Sequence, residues 1–132
     1  MDQNPLVTEE IDAGKELLSR FNAYAPVETA FWLNPSDDGR WSLYIASCKI
    51  DDSNLDVAYG EVLRIVSDMK NPYLDPFQVK LIGSAHPLAR AAVETNRKYP
   101  GPVAKRFRGK NFGGVGAEEV FIYPPRAIAA VN

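Results

Sequence analysis

Apolar residues recur three or four positions apart over residues 8–24, where Ile11, Leu18, Phe21 and the following Ala25 mark one stripe and Leu17 and Tyr24 flank it. That spacing predicts an amphipathic helix. Thr8 is its expected cap, Glu9, Glu10 and Asp12 stand where the helix dipole favours negative charge, Glu16 and Arg20 pair along the solvated face, and Pro26 stops the run. The period then shifts to two. Residues 28–33 and 41–47 alternate and are rich in aromatic and β-branched side chains, which predicts two strands. The connection NPSDDGR, with Asp38-Gly39 as its turn, predicts that they pair as an antiparallel hairpin. Both faces of the hairpin carry apolar residues, so both are expected to be covered.

A second helix is expected over residues 54–69, with Ala58, Val62, Ile65, Val66 and Met69 on one face and Glu61, Arg64 and Asp68 on the other. Ser53 is its expected cap and Asn71-Pro72 its stop. Residues 77–83, FQVKLIG, alternate as a third strand, and the long crossover through the helix permits a parallel pairing with an earlier strand. A third helix starts at His86 or Pro87, because proline suits a first turn in which its missing N–H has no helical partner. The only histidine is thereby assigned to a helix start rather than to catalysis, since no serine, cysteine or second ligand stands at a recognisable spacing. Leu88, Ala91, Ala92 and Thr95 form the packing face of this helix. Arg90, Glu94, Arg97 and Lys98 form its charged face, the last two complementing the negative C-terminal end.

Residues 97–116, RKYPGPVAKRFRGKNFGGVG, break the pattern, with six basic residues, no acidic one, five glycines and two prolines. A structureless connection of that length is uncommon in a compact domain. Residues 103–108 are therefore expected to form a strand that NFGGVG turns back onto residues 119–123, EVFIY. In such a hairpin Lys105 and Phe107 face one way and Arg106 and Arg108 the other.

Composition bounds this picture without naming a chemistry. An apolar fraction of 45% and a charged fraction of 24% over 132 residues fit one folded domain, 1–132, and argue against a disordered or fibrous chain. The single Cys48 excludes an internal disulfide and a cysteine-rich metal site, and is expected to be a buried small hydrophobe at a strand end. No apolar run approaches the roughly 18 residues that span a bilayer, and the opening MDQNPLVTEEID is acidic where a signal peptide is basic and then apolar. A cytoplasmic protein with no membrane partner is expected. Charge is uneven: residues 1–75 hold six basic and fourteen acidic side chains, net −8, whereas residues 76–132 hold nine and three, net +6. That asymmetry marks either a surface for an anionic partner or two halves of one domain that attract each other.

Three chemistries can be placed on these residues. Lys105, Arg106, Arg108 and Lys110 offer an anion or nucleic-acid site, with Phe107, Phe112 and Tyr99 as faces for base stacking. GKNFGGVG lacks the order of a phosphate-binding Walker loop, and GGVG does not open a helix after a strand. A degenerate metal-dependent nuclease-like site would take Asp37 or Asp38 with Lys49, but Ser47 stands where the second carboxylate belongs. An interaction module would use Trp32, Trp41, Tyr44, Phe121 and Tyr123, more aromatic surface than one face of a small sheet needs.

The segments AFWL, RWSLYIAS, HPLARA and GGVGAEEVFIYPP resemble a group of small bacterial single-domain α+β proteins with no assigned activity. The resemblance rests on packing and turn motifs, implies a bacterial α+β protein and transfers no functional residue. The expectation is therefore an α+β domain with a mixed or mostly antiparallel sheet of four or five strands and three helices. Its expected role is noncatalytic binding or protein interaction, with another protein or a second copy of the chain as partner. Nucleic-acid or anion binding through residues 97–116 and the nuclease-like site are the alternatives. No cofactor is implied.

Overall fold

A computed structural model describes residues 6–35 and 40–125, with the side chain of Lys110 outside the described part. The fold is α+β, as expected. Among the described residues three helices, α1 (Thr8–Tyr24), α2 (Leu55–Met69) and α3 (Pro87–Lys98), surround a five-stranded sheet of β1 (Thr29–Pro35), β2 (Ser42–Ser47), β3 (Val79–Gly83), β4 (Lys105–Phe112) and β5 (Val115–Ile122). Strand order is β3-β2-β1-β5-β4. β2 and β3 run parallel, joined through α2, and every other pair is antiparallel. The sheet is mixed for that reason.

Alternation along the strands sends apolar side chains to both faces, and each face has its own cover. On one face Trp32, Leu43, Ile45, Leu81 and Phe121 pack against Leu17, Leu18 and Phe21 of α1 and Val62 and Ile65 of α2. On the other, Phe31, Leu33, Val120 and Ile122 pack against Leu88 and Ala92 of α3. Helices from the same chain thus bury Trp32, Trp41, Phe121 and Tyr123 and leave Tyr44 half-buried. Tyr123 ties the first of these layers together: its hydroxyl accepts a hydrogen bond from Trp32 Nε1 at 2.9 Å and donates one to the Ile11 carbonyl at 2.7 Å. Burial holds its pKa well above the usual tyrosine value.

Several local expectations change. Val7, not Thr8, is the N-cap of α1, because the Glu10 carboxylate reaches back to accept from the Val7 amide at 3.1 Å. Ser53 does not cap α2; its amide and hydroxyl both donate to Asp51 Oδ1, and Asn54 takes the cap position. Phe77 leaves the third strand. Asp75 caps a 3-10 turn over Pro76–Gln78, accepting from the Phe77 amide at 2.9 Å, and the Phe77 ring is 82% exposed. Cys48 is exposed, because β2 ends at Ser47 and the chain turns outward there. The expected turn at Asp38-Gly39 lies outside the described residues. Among the described residues no helix is long and apolar enough to cross a membrane.

Candidate functional site

The second hairpin is built by its glycines. Gly113 and Gly114 both have positive φ, 58° and 86°, the conformation of the two-residue turn whose twist matches paired strands. The turn brings β4 back onto β5 with Lys105 opposite Ile122 and Phe112 opposite Val115, so β4 becomes the edge of the sheet. Gly113 also seats the hairpin tip on α3, since a Cβ there would lie 2.9 Å from Leu88 Cα. From that contact the helix runs back alongside β4. His86 starts α3, its Nδ1 accepting from the Leu88 amide at 3.1 Å, which is the helix-start role expected of it.

Between α3 and β4 lies an open groove of about 640 Å³, within the size range of small-molecule and peptide sites. The helix contributes Ala91, Glu94, Thr95 and Lys98, one stripe at three- and four-residue spacing. The strand contributes Lys105, Arg106, Phe107, Asn111 and Phe112, with Phe107 and Phe112 packed together on the side of α3. Tyr99 stands at the helix end of the groove, 62% exposed. The charges here are unevenly matched. Arg97 donates to both Glu94 carboxylate oxygens at 2.7 Å and holds that carboxyl below its usual range. Among the described residues lining the groove, Glu94 is the one carboxylate, and it is already engaged. Lys98 has no carboxylate within ion-pair distance among the described residues, and Lys105 bonds only the Val103 carbonyl, at 3.2 Å.

Lys105, Arg106 and Arg108 do not converge. Lys105 and Phe107 face the groove, as alternation predicts. Arg106 lies on the opposite face, where it donates to Glu119 at 2.5 Å and its guanidinium carbon sits 5.9 Å from the centre of the Phe121 ring. Arg108, opposite Glu119 in the ladder, shares that face and is exposed. Lys110 is fixed only through its backbone register with Ala117. The aromatic faces change more. Phe112 is buried edge-on against Phe31 in the core, Phe107 tilts against Phe112, and Tyr99 alone of the three stands exposed. Sequence reasoning missed Ala91, Glu94 and Thr95 of the helix wall. Glu94 and Lys98 belong to the face of α3 expected to be charged, and only the docking of the hairpin turn on Leu88 brings a strand alongside them.

The nuclease-like arrangement gains no ligand here. The Ser47 hydroxyl accepts from the Lys49 amide at 3.1 Å as part of the turn after β2, and Asp37 and Asp38 lie outside the described residues. Among the described residues no group of three or more His, Cys, Asp or Glu side chains is placed to hold a metal ion. Comparison with known proteins finds no matching family model, no similar curated protein and no similar solved structure.

Proposed function

We propose that the protein is a noncatalytic binding domain and that its ligand occupies the groove between α3 and β4. One observation carries this reading: Lys98 and Lys105, from opposite walls, line the same groove and neither forms an ion pair among the described residues, the nearby Glu94 being held by Arg97. Two ammonium groups without an ion pair across an open space make a site for negative charge, and the half-buried Phe107 ring beside them supplies apolar contact. The role is binding rather than catalysis because the nearest carboxylate is neutralised by Arg97, and Thr95 spends its hydroxyl on the Ala91 carbonyl at 2.8 Å. Neither is poised as a base or nucleophile.

Titration with succinate and with inorganic phosphate at low salt, followed through backbone amide shifts, tests the reading. Shifts are expected along residues 94–99 and 105–113, and they should fall away in Lys98→Glu with Lys105→Glu. Shifts concentrated elsewhere, or none at all, would overturn it.

A further inference from the structure

We infer that the occupant of this groove is an extended acidic peptide that adds to β4 as a sixth strand of the sheet, an inference that rests on the binding role given to the groove above. The two ends of the sheet differ in a way that points there. β3, five residues long, is covered from α2, where the Tyr59 hydroxyl accepts from the Leu81 amide at 2.9 Å. β4 is eight residues long and, among the described residues, bonds to β5 on one side and to no strand or helix backbone on the other. A strand edge left in that state presents a row of N–H and C=O groups that templates another strand.

Charge selects the strand. KRFRGKNF carries four cations and no anion, and of the side chains described only Arg106 is held by a carboxylate. A second copy pairing through its own β4 would set cations opposite cations, which is unfavourable, whereas an acidic chain complements the whole edge. A strand laid along β4 sends alternate side chains to its two faces. One set enters the groove beside Lys98, Lys105 and Phe107, and the other passes Arg108 on the far face. Nucleic acid suits the same edge less well, because the Phe112 ring is in the core and Phe107 packs against it, which removes two of three stacking faces.

The test is fluorescence anisotropy at low salt with a labelled eight-residue peptide of alternating glutamate and valine. Its companions are one version N-methylated at the valines, one N-methylated at the glutamates, a lysine–valine peptide and a single-stranded oligonucleotide. The glutamate–valine peptide is expected to bind, and at least one methylated version to bind about tenfold or more weakly, since methylation removes the donors a strand needs. The lysine–valine peptide is expected not to bind. Lys98→Glu with Lys105→Glu, checked for an unchanged unfolding midpoint, is expected to weaken the glutamate–valine peptide by about tenfold or more. Equal binding of both methylated versions, equal binding of the lysine peptide, or tighter binding of the oligonucleotide would overturn strand addition. If the glutamate–valine peptide fails while succinate or phosphate still shifts the groove amides, strand addition falls and the groove reading stands. If neither binds, both fall.

Discussion

Tyr123 shows how one side chain can fix the relation between a helix layer and the sheet. Its hydroxyl satisfies a buried indole N–H on β1 and a carbonyl on α1, and Gly14 leaves the space it needs, since a Cβ at Gly14 would collide with that oxygen. Tyr123→Phe leaves the Trp32 indole without an acceptor in the core. Such an orphaned donor costs about 1–3 kcal/mol, to be read as a lower urea midpoint with an unchanged slope. The same residue sets an alkaline limit. Because its folded-state pKa lies above the ordinary value of 10.0, the unfolded chain releases the proton first as pH rises. The contribution is complete below about pH 10 and declines above it, so the wild type should lose stability there more steeply than Tyr123→Phe. A parallel alkaline decline in the two proteins would remove Tyr123 as the cause. Nothing in the alternation of EVFIYPP distinguishes this tyrosine, because its partners are 91 and 112 residues away.

At the level of elements, the second hairpin and α3 depend on each other through Gly113. Gly109→Ala places a Cβ in open space at φ 62°, so its cost is the left-handed backbone alone, about 1–2 kcal/mol. Gly113→Ala adds a collision with Leu88 Cα and the Pro87 carbonyl to the same backbone cost. Thermal unfolding should therefore show Gly113→Ala clearly less stable than Gly109→Ala. Equal midpoints would mean that the turn does not press on α3. His86→Ala, which removes the cap from the Leu88 amide, should cost about 1 kcal/mol by the same measurement.

The helices, the first hairpin and the glycine turn were legible in the sequence because periodicity, proline and paired glycines act locally. The exposed Phe77, Cys48 and the true caps were not, because Asp75, Asp51 and Glu10 compete for nearby amides on grounds that hydrophobic pattern does not record. The candidate site was legible by half. The basic run marks β4, but its opposite wall comes from a helix face whose charges look solvated until the hairpin docks on Leu88.

Across the whole molecule, the acidic and basic halves of the sequence do not simply neutralise each other. Arg20 of α1 reaches Asp68 of α2 and Arg64 pairs with Glu61, so part of the acidic half is compensated within its own layer. The basic half engages Glu94 and Glu119 and leaves Lys98, Lys105 and Arg108 without an ion pair among the described residues. Binding at this end of the sheet should therefore weaken with salt, with apparent affinity for an acidic peptide falling steadily from low to physiological ionic strength. The two sheet edges also supply an internal comparison, since Tyr59 covers β3 and no described element covers β4. Amide hydrogen exchange with and without saturating glutamate–valine peptide tests the central claim most directly. Slowed exchange along residues 105–112 with residues 79–83 unchanged is the predicted result; unchanged β4 amides, or equal slowing at β3, would contradict it.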